Sequence, residues 1–223
     1  LGILFALAQS DLKRVLAYSS VENVGVITLG LGLGLIGVSV GDPSLAVLGL
    51  AGGLLHVVNH TLFKGLLFLG AGAVMHGAGT REMSQLGGLL KRMPWTGVSF
   101  LVGAVAIAGL PPLNGFVSEF LIYLSAFHGT MALSSTAATP ALAVIASLAL
   151  IGGLSAASFT NTFGMVFLGE PRTERSAHAH EIGPAMRSAL VFLAGSCVLM
   201  AILAPWLVIT LVPVLASVTT LSA

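Results

Sequence analysis

His56-Val-Val-Asn-His60-Thr-Leu-Phe-Lys64 lies in an apolar run, and from Leu45 to Val74 these two histidines and one lysine are the only ionisable residues. A bilayer-spanning helix needs about 20 mainly apolar residues, and this run is longer. At i, i+4 and i+8 each step turns about 400° and drifts only about 40°, so the three side chains form one stripe about 12 Å long. Ionisable groups at membrane depth are costly and usually face a bundle interior or a water-filled path. Such a stripe is a candidate proton relay. Taken alone, each histidine could equally be a neutral, hydrogen-bonded packing residue; three on one face favour the functional reading.

The composition around the stripe points the same way. Of 223 residues, 56% are hydrophobic and 8% charged, and the mean hydropathy is +1.03, whereas soluble domains carry about 25% charged residues. The expected fold is an all-α integral membrane chain in a single membrane domain. It comprises about five transmembrane helices plus the tail of another. A formal net charge of +1 without a long basic cluster gives no reason to expect a nucleic-acid partner. Cys197, the single cysteine, lies in an apolar run and reads as a small packing residue. No signal-peptide pattern is seen. Leu1 to Ala8 resembles the end of a span, so the chain reads as a segment of a longer membrane protein.

Ser10 or Asp11 is placed to cap the next helix. A span over Val15 to Val40 begins with polar turns (Tyr18, Ser19, Ser20, Glu22, Asn23). Gly41-Asp42-Pro43-Ser44 is a turn by composition, Leu45 to Met75 is the His/His/Lys span, and His76 to Met93 is a polar loop. Pro94 to Phe127 is interrupted at Gly109-Leu110-Pro111-Pro112-Leu113-Asn114-Gly115. The prolines remove backbone donors and the glycines permit unusual angles. Just beyond this break stands Glu119. Thr139 to Leu168 is a further span, with a polar stretch at Ser155, Ser158, Thr160, Asn161 and Thr162. Gly169 to Gly183 is the most charged loop, and its His178-x-His180 is weak metal-ligand evidence without further ligands. Met186 to Val212 is the last span, with Pro205 and an interfacial Trp206 near its outer end. Pro213 to Ala223 is a mildly apolar end.

Positive charge decides how Pro94 to Phe127 crosses. Apart from Lys64, the basic residues fall in three loops: Lys13 and Arg14; Arg81, Lys91 and Arg92; Arg172, Arg175 and Arg187. One crossing puts all of them on one face, and two crossings would split them. The positive-inside rule prefers one helix, broken within the membrane, with the basic loops cytoplasmic.

Irregular backbone at membrane depth is tolerated where it lines a cavity, and transporters place ion sites at such breaks. Lys64 and Glu119 could exchange protons there. The structural alternative is a static Lys64–Glu119 ion pair that fixes helix register.

Three motifs, in order, carry a resemblance to a known family. Asp11-x-Lys13-Arg14-x-x-Ala17-Tyr18-Ser19-Ser20, His56-x-x-x-His60-x-x-x-Lys64 and Leu110-Pro111-Pro112-x-x-Gly115-Phe116-x-Ser118-Glu119 resemble the antiporter-like subunits of respiratory complex I and their Mrp antiporter relatives. The wording of His56 to Gly77, and of Lys91 to Trp95, is most similar to the large antiporter-like subunit of hydrogenase-4 and formate hydrogenlyase. The resemblance implies two inverted repeats, each with a broken helix. This chain would hold most of the second (about 1–168) and the helix after it (about 186–213). It also implies a proton path through His56, His60, Lys64 and Glu119, with Asp11 and Lys13 near the cytoplasmic entrance of a half-channel. Pro111, Pro112 and Gly115 would form the helix break.

The leading expectation is therefore a proton-translocating, non-redox subunit of a membrane-bound redox complex in a prokaryotic plasma membrane. It would need no cofactor or metal of its own. Its partners would be homologous antiporter-like subunits and a redox arm of hydrogenase or dehydrogenase subunits. Protons would pass along His60, His56 and Lys64 to Glu119. One alternative is a stand-alone Na+/H+ antiporter subunit in which Glu119 and residues 158–162 serve Na+. Others are a structural subunit without transport and, least favoured, haem or metal ligation by His56 and His60.

Overall fold

The computed structural model describes residues 1–133 and 138–220, except the side chains at 212, 214 and 216–220. The middle of the loop after His128 and the last three residues of the apolar end lie outside the described residues. The elements are α1 (Gly2–Leu7), α2 (Leu12–Val40), α3 (Pro43–Ala78), α4 (Pro94–Ile107), α5 (Asn114–Ala132), α6 (Thr139–Phe167), α7 (Glu174–Ala177) and α8 (Pro184–Thr220). Two short 3-10 turns, Met83–Gln85 and Leu89–Lys91, lie between α3 and α4. Helices α2, α3, α6 and residues 184–211 of α8 are long and apolar enough to cross a membrane.

Local chemistry sets the helix ends. Asp11 caps α2, its Oδ1 accepting from the Lys13 and Arg14 N–H groups at 2.9 and 3.1 Å. Gly41 closes α2 in the left-handed region at φ 71, where a Cβ would be strained. Asp42 immediately caps α3, accepting from the Leu45 N–H at 3.0 Å, with Pro43 in the first turn. The expected turn is thus two caps back to back, which leaves α2 and α3 antiparallel. They approach closely through small residues: a Cβ on Gly49 would lie 2.5 Å from the Gly34 nitrogen.

The path of α4 and α5 along α3 settles the question of the crossing. The Phe100 ring covers Gly70, and Leu66 and Leu67 lie over Gly103. Further along, Asn114 bonds Asn59, Ser118 bonds His56, and Ile122 covers Gly52. Ser125 then donates to the Leu45 carbonyl at 3.0 Å, and His128 meets Asp42 at 2.9 Å. Numbers rise from 100 to 128 on one side as they fall from 70 to 42 on the other. Helices α4 and α5 therefore follow one another antiparallel to α3 and make a single crossing, broken at 108–113. Gly109 has φ 63 and the Pro111–Pro112 bond is cis.

All three basic loops consequently meet at one end of the bundle. Arg81 pairs with Asp11 at 2.6 Å, and Arg92 donates to the Ala177 carbonyl at 2.7 Å. Arg172 donates to the Leu86 carbonyl at 2.8 Å. Lys91 pairs with Glu170 at 3.0 Å, and its ammonium holds the Glu170 carboxyl below the usual carboxylate range. Glu181 caps α4, accepting from the Trp95 N–H at 2.8 Å and the Thr96 hydroxyl at 2.6 Å.

Several boundaries differ from the sequence expectation: α2 begins at Leu12, before Val15, and α5 runs on to Ala132, past Phe127. Helix α3 runs on to Ala78, past His76. Helix α8 continues through Pro205 and Pro213 to Thr220, because a proline removes one hydrogen bond without forcing the end of a helix whose other backbone groups must pair internally in lipid.

Candidate functional site

The α3 stripe faces inward at both ends. His56 is 0% exposed and Lys64 6%, while His60 is partly exposed. His56 is held from two helices: its Nε2 lies 3.1 Å from Asn23 Oδ1 on α2, and its Nδ1 lies 2.9 Å from Ser118 Oγ on α5. The Asn23 amide nitrogen donates to the Ser19 carbonyl at 2.9 Å, so its Oδ1 is the acceptor and His56 Nε2 carries a proton.

The Ser118 hydroxyl has a choice of acceptor. It can donate to His56 Nδ1, or turn to the Gly115 carbonyl 3.0 Å away, while accepting in either case from the Asn59 amide at 3.1 Å. With the hydroxyl on Nδ1 the imidazole is neutral. Turned to Gly115, the same oxygen accepts an Nδ1–H and the imidazolium is satisfied. His56 can therefore gain or lose a proton without stranding a hydrogen bond.

Lys64 turns to α2. Its Nζ donates to the Ser19 hydroxyl at 2.6 Å and to the Leu16 carbonyl at 2.7 Å. The carboxylate whose charge acts on it is Glu22 of α2, which is 7% exposed. The expected alternative of a direct Lys64–Glu119 pair does not describe this geometry, because the ammonium is drawn to the α2 face.

Glu119 lies across the break. Its carboxylate rests against Gly109 and lines a cavity of about 310 Å³ with Tyr123, Gly152 and Gly153. Ser158 and Thr162 are buried elsewhere on α6, and none of residues 158–162 lines this cavity. Pro111 and Pro112 lie in the break, whereas Gly115 lies in the first turn of α5, where an added Cβ would meet the Ala106 carbonyl. Asn59 and Asn114 tie the far side of the break to α3, with Asn59 Nδ2 donating to the Asn114 carbonyl at 2.8 Å. His60 stands with its ring edge-on to Phe63, centroids 5.5 Å apart. Among the described residues its Nε2, like Asn114 Oδ1, is buried without a hydrogen-bond partner.

Asp11 and Lys13 are not part of this buried set. They sit among the basic loops, where Asp11 is committed to the α2 cap and to Arg81. Sequence reasoning left Ser19, Glu22 and Asn23 as merely polar first turns. Their i, i+3, i+4 spacing, which puts them on one helix face, was the signal that could have found them.

Residues 1–146 match the family described as NADH:quinone oxidoreductase/Mrp antiporter, TM. The chain belongs to this family. Hydrogenase-4 component B of Escherichia coli (strain K12) is 46% identical over 209 residues, covering 93% of this chain and 31% of that relative. Formate hydrogenlyase subunit 3 of the same organism is 44% identical over 208 residues, covering 92% and 34%. Both are the subunit type that the wording around His56 resembles. In respiratory complex I from Thermus thermophilus with bound NADH, one chain superposes with a TM-score of 0.77 at 26% identity. That match covers 100% of this chain and 42% of that one. The antiporter-family chain thus spans about a third of the length of these curated relatives.

Proposed function

We propose that this chain is the second half-channel of a proton-translocating subunit in a membrane-bound redox complex of hydrogenase-4, formate hydrogenlyase or NADH:quinone oxidoreductase type. The observation that carries the reading is the His56–Ser118–Gly115 arrangement, in which a buried imidazole keeps its partners in both protonation states. Lys64 and Glu119 lie on either side of it as the other path residues. Among the described residues His60 Nε2 and Asn114 Oδ1 are buried without a hydrogen-bond partner, and a buried polar atom left so costs about 1–3 kcal/mol, which supports a polar path at this place.

On this reading residues 1–168 are the second antiporter-like repeat. The basic loops face the cytoplasm of a prokaryotic cell, and the partners are homologous membrane subunits and a soluble redox arm. The test uses the full-length parent protein in its complex, in sealed vesicles. Glu119→Gln should leave assembly and electron transfer intact and lower turnover-driven proton translocation. Unchanged translocation would make this half of the subunit a scaffold.

A further inference from the structure

Glu22 is a carboxylate at membrane depth that the family motifs in this chain do not include. It is 7% exposed, and its surroundings connect the two centres described above. On one side stands Lys64, whose ammonium is bonded to Ser19 one turn earlier on the same helix and whose charge acts on Glu22. Asn23, the neighbour that holds His56, also donates to Glu22 Oε2 at 3.5 Å. On the other side is Ser155 of α6, which acts on the Glu22 carboxylate and whose hydroxyl donates to the Ile107 carbonyl at 3.5 Å. Ile107 is the last residue of α4, at the edge of the break, and two residues on is Gly109, against which the Glu119 carboxylate rests. Glu119 is also the other carboxylate whose charge acts on Glu22. No polar contact links Lys64 directly to Glu119 or to Glu22 among the described residues, and Glu22 is the buried group on which the charges of both act.

We propose that Glu22 is a proton-carrying residue that receives a proton from the Lys64 side and releases it toward Glu119 by way of Ser155 and the helix break. Lys64 is held by the Ser19 hydroxyl one turn before Glu22 on α2. It gives up one N–H proton and becomes a neutral amine, and a Glu22 carboxylate oxygen takes up that proton through an intervening water and becomes the acid. Release to Glu119 regenerates the Glu22 carboxylate, so proton and charge balance at each step. A carboxylate suits this place because it is balanced by Lys64 when ionised and needs no counter-ion when protonated, whereas burying it permanently charged would be costly. A fixed Glu22–Lys64 ion pair that only sets the register of α2 against α3 predicts different behaviour, since it would never become the acid during turnover.

The inference rests on the proton-translocating reading, and the test separates the two. The full-length parent in its complex is examined in sealed vesicles as Glu22→Gln, Glu22→Asp, Ser155→Ala, Lys64→Met and Glu119→Gln. Turnover-driven proton translocation is measured per electron transferred, with native gels for assembly. Glu22→Gln should assemble, transfer electrons and lose at least about tenfold in translocation, with partial recovery in Glu22→Asp. Infrared difference spectra of the purified complex should contain a protonated-carboxyl band that disappears in Glu22→Gln, a signature that a static ion pair would not give. Should Glu22→Gln fail to assemble, Ser155→Ala and Glu22→Asp carry the test: wild-type translocation in Ser155→Ala, or no translocation in an assembled Glu22→Asp, overturns the proposal. Normal translocation in Glu22→Gln alongside loss in Lys64→Met and Glu119→Gln overturns the role of Glu22 and leaves the path standing. Normal translocation in all variants removes both.

Discussion

His56 Nδ1 lies 2.9 Å from Ser118 Oγ, and Ser118 immediately precedes Glu119 on the second half of the broken helix. This bond joins the α3 stripe to the break, and the Gly115 carbonyl gives the hydroxyl a second acceptor. Ser118→Ala removes that alternative. It leaves His56 Nδ1 unpaired and takes one acceptor from the Asn59 amide, at a cost of about 1–3 kcal/mol per stranded group. Proton translocation in vesicles should fall by about tenfold and the detergent melting temperature should drop. Ser118→Thr, which keeps the hydroxyl, should retain most of both. Wild-type pumping in Ser118→Ala would show that His56 keeps one protonation state throughout turnover.

Lys64 is the second point of attack, and arginine is the informative replacement. Both side chains can donate to the Leu16 carbonyl and the Ser19 hydroxyl, but a guanidinium does not deprotonate in proteins. Lys64→Arg should assemble and transfer electrons yet translocate as poorly as Lys64→Met. A Lys64→Arg variant that pumps normally would mean that position 64 supplies a fixed positive charge only.

Much of this architecture can be read from residues. Apolar run lengths place the spans, Pro111-Pro112 marks the break, and the distribution of Lys and Arg calls for a single crossing, which the register of α4 and α5 along α3 then fulfils. What pairs with what is less legible. Lys64 has two acidic candidates at membrane depth, Glu22 of the previous helix and Glu119 beside the break. Sequence order gives no reason to expect that its ammonium instead bonds the Ser19 hydroxyl and the Leu16 carbonyl of α2. That choice follows from how α2 packs on α3, the two helices approaching closely at Gly34 and Gly49, a tertiary fact. The partners of Asp11 are likewise tertiary in part: beside the α2 cap, which its sequence position suggests, it meets Arg81 of the loop after α3.

The Gly34–Gly49 approach can be tested directly. A Cβ on Gly49 would lie 2.5 Å from the Gly34 nitrogen and 2.9 Å from the Gly30 carbonyl, both backbone atoms that no side-chain rotation relieves. Gly49→Leu should force α2 from α3 and cost about 1–3 kcal/mol or more by overpacking. Loss of the assembled complex on native gels is the expected readout. Gly72→Ala, where nothing lies within 4 Å of the added Cβ, is the matched control and should assemble normally.

Asp42 offers a prediction about pH at the other end of the bundle. Partial burial raises its carboxyl, but the Leu45 N–H and His128 outweigh that and hold it below the usual value of 3.8. A group whose folded value is depressed contributes stability that is full above the unfolded value and fades as the pH falls through the folded one. At neutral pH Asp42→Ala should therefore destabilise the purified parent protein by about 1 kcal/mol, the usual worth of an N-cap, and lose the tie to α5 as well. Asp42→Asn keeps the cap and should cost less. On acidification below 3.8 the wild-type melting temperature should converge on that of Asp42→Ala, because the variant has no depressed carboxyl to protonate. A constant gap between the two curves down to the lowest pH at which the protein stays folded would mean that packing around the Asp42 side chain, and not its charge, secures this end of α3 to α5.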